Sequence, residues 1–406
     1  PLFEVVIVND GSTDSTLKKM IEHYELIEVP YAYIERIKTK PFRRLFKSTS
    51  PKYSRLIVVD KENGGTKADA SNAGINVSSY PYFICTDVDC ILEKYALYRC
   101  ISPIISSDKQ VIAVSGTMLM ANGCVVKDGQ IVDVRTPRTP IPLFQNLEYM
   151  RSYLIGKMGW SAINGMPNVS GGFGLFDRSV AIAAGGYDGT SFAEDMDLIT
   201  RMVGYMCDFS RPYKIIQIPD TRCWTEGPPN LAMLYRQRTR WARGLFQTPS
   251  IHHKMIFKKT YKQMGLLTLP YMFVFEFLAP IIELTGLIVF IYLAFTGAVN
   301  WNTAWMIYLT IYTFCQFLSI VVITYDYYVG MLYKRGYEYL WIIIASILEP
   351  IFYHPIITFC SLRGYLSYLT NRDFKWKNME RKGFKQKEEN TDDAETAAMK
   401  PEPATI

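Results

Sequence analysis

The sequence predicts an α/β domain joined to a helical membrane region. Three observations carry this: short apolar runs ending in polar turns and followed by helical spacing occupy the first half, long apolar stretches fill residues 266–369, and the 49% hydrophobic and 14% aromatic content of the 406 residues is spread unevenly between the two. The chain is long enough for more than one domain with a sizeable core.

Residues 3–8 form an apolar run ending in Asn9-Asp10-Gly11-Ser12, and residues 13–24 have helical spacing, so strand, turn and helix make half of a parallel unit. Asp10 then stands at the carboxyl end of a strand, the edge at which open α/β sheets bind ligands. The pattern returns with a strand over 55–60, a turn at Asn63-Gly64-Gly65-Thr66-Lys67 and a helix over 68–76. Residues 82–86 read as a strand buried on both faces, ending directly in Asp87-Val88-Asp89. Two carboxylates two residues apart at a strand end can hold a hard divalent cation from one side while a diphosphate takes the other.

A further strand is expected over 111–120, and a hairpin over 122–135 from its Asn-Gly and Asp-Gly pairs. Residues 144–157 read as an amphipathic helix. Residues 170–176 are too glycine-rich for a plain strand; close backbone packing and a floor under a flat ligand ring are compatible readings. Glu194, Asp195 and Asp197 open a helix running to about residue 205. Acids in a first turn complement the helix dipole, and a carboxylate there beside a cleft can act as a general base, the role assigned to Asp195. Gln237, Arg240 and Trp241 fall at i, i+3 and i+4, on one helical face. That face reads either as part of a basic helix on a membrane, with Arg236, Arg238 and Arg243, or as one that offers a guanidinium to a diphosphate and an indole and an amide to a hydroxyl-rich ligand.

The net charge is a modest +6, yet residues 36–55 carry Arg36, Lys38, Lys40, Arg43, Arg44, Lys47, Lys52 and Arg55 with no acid among them. A solvated loop and a stripe on anionic headgroups are the two readings, and no nucleic-acid motif accompanies the charge. The eight cysteines lack paired metal-ligand spacing, which fits reduced thiols facing the cytosol. With four histidines in the chain, carboxylates must carry the chemistry.

In their order, Asn9-Asp10-Gly11, Asp87-Val88-Asp89, Ala193-Glu194-Asp195 and Gln237-Arg238-Thr239-Arg240-Trp241, ahead of apolar helices, resemble the motifs of the processive membrane glycosyltransferases of family 2, the group of hyaluronan, cellulose and poly-N-acetylglucosamine synthases. The resemblance implies a GT-A type, Rossmann-like nucleotide-diphospho-sugar transferase domain over residues 1–250, interfacial and transmembrane helices over 251–370, and a basic juxtamembrane segment with a disordered tail over 371–406. It implies a UDP-sugar donor, with Asp10, Lys67, Asp69, Asp87 and Arg240 on the nucleotide and diphosphate. Asp89 with Asp87 would bind Mg²⁺ or Mn²⁺, Asp195 beside Glu194 would deprotonate the acceptor hydroxyl, and Gln237 and Trp241 would hold the acceptor sugar. The expected chemistry is inverting transfer to a growing β-linked polysaccharide, coupled to its passage across the inner or plasma membrane, possibly alongside other secretion subunits. Poly-N-acetylglucosamine stands ahead of glucose and glucuronate polymers. Transfer of one sugar to a lipid-linked acceptor is the alternative, and a non-catalytic scaffold or export subunit is the reading of another class. Two departures stand out: the family's first strand is expected ahead of residue 1, and Thr66 lies between Gly65 and Lys67 as an extra residue.

Residues 266–295 would span about 45 Å as one helix, more than the hydrocarbon thickness. Pro270, Glu276, Pro280 and Glu283 punctuate them, so an interfacial start followed by one crossing is expected, with a second crossing over 303–325. Residues 339–362 are expected to be interfacial or re-entrant, because Glu349-Pro350 and His354-Pro355 break their centre and the basic cluster from Arg372 to Lys385 belongs with the catalytic domain in the cytosol. Glu276 and Glu283, at i and i+7, read either as the lining of a product path or as headgroup-level acids.

Overall fold

The computed structural model describes residues 3–30 and 32–370; the basic cluster from Arg372 to Lys385 and the expected disordered tail lie outside them. The first sheet begins with β1 (Val5–Asp10), followed by α1 (Thr16–Tyr24), β2 (Leu26–Glu28), β3 (Phe42–Ser48), β4 (Leu56–Lys61) and α2 (Lys67–Val77). Its order is β1-β4-β3-β2, with β1 parallel to β4 and β3 antiparallel to it. This corrects the reading of residues 36–55 as a loop: in β3 the adjacent Leu45 and Phe46 are buried on opposite faces of the sheet between exposed basic residues, and Arg44 turns back to the buried Asp60 at 2.8 Å. A strand with basic residues on both faces carries the charge of a loop in composition but not in structure.

The second sheet is built from β5 (Tyr82–Thr86), β6 (Ile91–Leu92), α3 (Ala96–Ser106), β7 (Gln110–Met120), the hairpin β8 (Val125–Lys127) and β9 (Gln130–Asp133), α4 (Pro140–Arg151), α5 (Lys157–Ala162), β10 (Phe173–Asp177), α6 (Arg178–Ala183), α7 (Glu194–Asp208) and β11 (Tyr213–Thr225). Strand order is β5-β10-β7-β11-β6, the hairpin standing apart as its own pair. β5 therefore does not extend the parallel pair β1 and β4. It lies antiparallel to β10 at the end of the second sheet and is half-buried, where burial on both faces was expected. Of residues 170–176, read as too glycine-rich for a plain strand, 170–172 lie outside the sheet and 173–176 belong to the fully buried β10. Gly174 is what lets them do so, since a Cβ there would meet Val169 at 2.4 Å. The helix expected over 144–157 starts earlier, at Pro140, and passes through a π turn, Ser152–Gly156, into α5.

The core under the second sheet joins Ile112, Phe176, Leu198, Met202 and Ile215, and packs β10, β7 and β11 on α7. α8 (Leu231–Ile251) then leads into α9 (Leu269–Tyr271), flanked by π turns, and on to α10 (Ala279–Phe295), α11 (Trp301–Tyr325) and α12 (Gly336–Thr370). Three helical stretches, Met264–Phe295, Trp301–Gly330 and Gly336–Thr370, are long and apolar enough to cross a membrane. The expected break at residues 349–355 does not occur: α12 is one 35-residue helix that contains Pro350 and Pro355. A continuous helix makes no re-entrant turn. Its flank at Ile342, Ala345 and Tyr353 joins a core with Phe144, Leu147, Trp224 and Leu234, which supports the helix where the prolines remove backbone donors. Between α10 and α12, Glu283 accepts from Thr358 Oγ1 at 2.7 Å and meets His354 Nε2 at 3.1 Å. All eight cysteines are free thiols.

Candidate active site

The site assembles from strand ends and helix starts. Asn9 and Asp10 leave β1, and Gly11 turns the chain at φ +69°, where a Cβ would strike Asn63 at 2.8 Å. Asp10 Oδ1 accepts from the Gly64 N–H at 3.0 Å and from Lys61 Nζ at 2.6 Å. Lys61 is fully buried and also reaches Asp69 at 2.5 Å, so it ties Asp10 to Asp69. Sequence reasoning missed it. The signal available was a lysine closing a strand that is buried throughout, beside a partner strand ending in an acid.

Thr66, the extra residue in the sequence, is the N-cap of α2: its hydroxyl accepts from the Asp69 N–H at 3.3 Å. That cap sets Lys67 as the first helical residue and aims it away from Asp69. Lys67 Nζ lies 2.5 Å from Asp87 Oδ1 and donates to the Gly171 carbonyl at 2.7 Å. Burial alone would lower the Lys67 pKa, but Cys85, Asp87 and Glu194 outweigh it and hold the ammonium above the ordinary lysine range.

Asp87 and Asp89 follow β5. Asp87, Asp89 and Cys90 each offer one ligand atom, and the three atoms lie within 4.8 Å of one another. Two carboxylates suit a hard cation such as Mg²⁺ or Mn²⁺ and a thiol does not, so the donor set fits through its acids.

Opposite them, Asp195 opens α7. Its Oδ2 accepts from the Gly171 N–H at 3.0 Å and its Oδ1 from the Met196 N–H at 2.8 Å. The Gly171-Gly172 segment thus separates the two groups of acids. A Cβ on Gly171 would sit 3.6 Å from Asp195 Oδ2 and 3.7 Å from Lys67 Nζ, and one on Gly172 would sit 3.6 Å from Asp87 Oδ2. Burial first, then the neighbouring Asp195, pushes the Glu194 carboxyl up, and Arg240 opposes the shift. Asp197 is structural: it binds Arg201 at 2.7 Å and His252 at 2.8 Å, and these partners hold its pKa down despite burial. Lys157 is buried against the Tyr153 ring at 4.4 Å, and burial lowers its pKa to about 8, opposed by Asp195.

α8 brings the last motif to this centre. Gln247 Oε1 accepts from the Phe192 N–H at 2.8 Å, and Gly244 allows the helix onto Ala193, where a Cβ would come within 2.4 Å. The helix therefore grips the loop that presents Glu194 and Asp195. Gln237 accepts from Gln145 Nε2 at 3.0 Å, and Arg240 acts electrostatically on Glu194. Arg238, read with the membrane-facing basic residues, is instead almost fully buried.

Strand-end acids, the acids at the start of α7 and the Gln-x-x-Arg-Trp helix thus come together in one region of the fold. The chain belongs to the family 2 glycosyltransferases: the description "Glycosyl transferase family 2" matches residues 1–118, and "Glycosyl transferase family group 2" matches residues 141–320. It is similar to the poly-β-1,6-N-acetyl-D-glucosamine synthase of Staphylococcus aureus strain COL, 28% identical over 243 residues, which are 59% of this chain and 47% of that protein. The synthase of the same name from Staphylococcus epidermidis is 25% identical over 244 residues, 60% of this chain and 48% of that one. The matched stretch is thus about half the length of these relatives. Among solved structures, the mannosyltransferase PcManGT from Pyrobaculum calidifontis, in complex with GDP-Man and Mn²⁺, aligns with a TM-score of 0.49 at 16% identity, over 91% of this chain and 79% of that one. TarS 1-349 of S. aureus, in complex with UDP-GlcNAc, aligns with a TM-score of 0.32 at 15% identity, over 64% and 63%.

Proposed function

We propose that this chain transfers a sugar from a UDP-sugar to the end of a growing β-linked polysaccharide at the cytosolic face of a membrane, with poly-N-acetylglucosamine the favoured product. The observation that carries this reading is the Gly171-Gly172 segment, held by Lys67 with its partner Asp87 on one side and by Asp195 on the other. An acceptor oxygen attacks the anomeric carbon of the donor, its proton passes to the Asp195 carboxylate, and the bond from that carbon to the diphosphate oxygen breaks as UDP leaves. Displacement in one step inverts the configuration. Lys67 and Arg240 offset charge on the leaving diphosphate; preorganised charge of this kind is usually the largest catalytic contribution. Asp87 and Asp89 would hold a divalent cation, which when bound supplies further charge stabilisation at the diphosphate. Asp10 and Asp69, joined through Lys61, line the nucleotide end, and Gln237 and Trp241 the acceptor end. The three long apolar helices support processive extension coupled to export, with the bilayer and other secretion subunits as partners.

The test is UDP release by the detergent-purified protein with Mn²⁺ and, in turn, UDP-N-acetylglucosamine, UDP-glucose and UDP-glucuronate, with product sizing. Long product from one donor, lost in Asp195→Asn, supports a processive synthase. A one-sugar product on lipid supports the alternative, and silence with every donor supports a scaffold.

A further inference from the structure

Three side chains distant in sequence meet at one point, Arg238 and Tyr353 buried and Glu148 partly exposed. Arg238 on α8 donates from Nη1 to Glu148 Oε1 at 2.6 Å on α4, and from Nη2 to Glu148 Oε2 and to the Tyr353 hydroxyl at 3.0 Å on α12. The Tyr353 hydroxyl in turn donates to Glu148 Oε2 at 3.1 Å. The same guanidinium lies 4.4 Å from the centroid of the Trp241 indole. Beyond this point α8 and α12 stay in close contact, since a Cβ on Gly364 would come within 2.5 Å of Ala242 and 2.8 Å of the Thr239 carbonyl.

A buried ion pair is a poor way to gain net stability, because desolvation cancels most of the attraction. It is a good way to fix geometry: a bidentate guanidinium has one orientation relative to its carboxylate, and stacking passes that orientation to the ring beside it. Here the carboxylate comes from the catalytic domain, the hydroxyl from a helix long and apolar enough to cross a membrane, and the stacked ring from the Gln-x-x-Arg-Trp face.

We propose that Arg238 is a positioning residue through which the seating of α12 sets the orientation of the Trp241 ring, and with it the acceptor end of the site. The inference rests on the acceptor role proposed above for Trp241. The hydrogen bonds of Lys67 and Asp87 run to each other and to Gly171 rather than to this cluster, so UDP release to water is the readout that separates donor binding from the acceptor end. The seating of a membrane helix thereby selects between transfer to a polymer end and transfer to water.

Tyr353→Phe in the full protein tests this, because it removes one hydroxyl and keeps the ring that packs on Phe144 at 5.3 Å. Three quantities are read: polymer formation, UDP release to water without acceptor, and the emission of Trp241, taken as the difference between each protein and its Trp241→Phe counterpart. Polymer formation should fall about tenfold with a raised KM for added oligosaccharide, UDP release to water should stay within twofold, and the Trp241 emission should shift. Arg238→Lys, which loses the bidentate geometry and keeps the charge, should give the same emission shift and the same loss of polymer. Equal losses of polymer and hydrolysis, or an unshifted emission, would overturn the proposal. Absence of any transfer in the unmodified protein would refute the functional reading instead, while the emission difference still decides whether α12 sets the ring.

Discussion

Lys67 and Asp195 take hold of the same residue from opposite sides: the ammonium donates to the Gly171 carbonyl at 2.7 Å, and the carboxylate accepts the Gly171 N–H at 3.0 Å. A glycine between the cation and the proposed base keeps them close. Gly171→Ala should fold normally, because its Cβ meets nothing nearer than 3.6 Å, yet place a methyl group against both Asp195 Oδ2 and Lys67 Nζ. Unchanged thermal stability with kcat/KM for the donor down tenfold or more is expected, read by UDP release.

Asp195→Asn keeps the acceptor of the Gly171 N–H and loses the base. A placed carboxylate contributes about 10²–10⁴-fold, so transfer should fall by that range while donor KM changes little. Steady-state UDP release against donor concentration separates the two.

Lys61→Met should destabilise the first sheet by about 3 kcal/mol, because it leaves Asp10 and Asp69 facing each other without the cation that joins them. Chemical unfolding measures the loss. Lys67→Met should instead leave stability nearly unchanged and raise donor KM. Removal of divalent cations with EDTA should abolish transfer in the unmodified protein, with recovery on adding Mn²⁺, if Asp87 and Asp89 hold the ion.

Lys157 makes a pH prediction of definite sign. Burial lowers its pKa to about 8 in the folded protein, against about 10.4 for a free lysine. The unfolded chain therefore binds the extra proton between these values, so stability rises with pH from about 8 to about 10.4 and carries the full penalty below 8. Lys157→Met should raise stability at pH 7 by on the order of 3 kcal/mol, a gain that vanishes near pH 10.5. Thermal unfolding of both proteins across this range checks it.

Much of the site was legible because its acids sit where local pattern is strongest. Asp10 and Asp87 follow apolar runs and Asp195 follows a glycine turn, so each strand end or helix start could be read from neighbours in sequence. What escaped depends on partners far away. Lys61 has its role only because β1 and β4 pair in the register that brings Asp10 beside it. β3 was hidden by its charge: Arg43, Arg44 and Lys47 surround an apolar pair, Leu45 and Phe46, too short to show a strand period. The grouping of Glu148, Arg238 and Tyr353 joins residues 90 to 205 positions apart, beyond any periodicity. The continuity of α12 escaped because proline was read as a break, while packing on α4 and α8 decides otherwise.

The unbroken course of α12 limits how this chain can vary. A single residue inserted midway along it would turn everything beyond by about 100° and advance it 1.5 Å, so Gly364 would swing away from Ala242 and the long, charged Arg363 would take its place. Substitutions on its outer face, where Ile343, Leu348 and Phe352 are exposed, cost little by comparison. Its length is therefore under tighter constraint than its composition: this helix tolerates exchange of letters but not a change in their number.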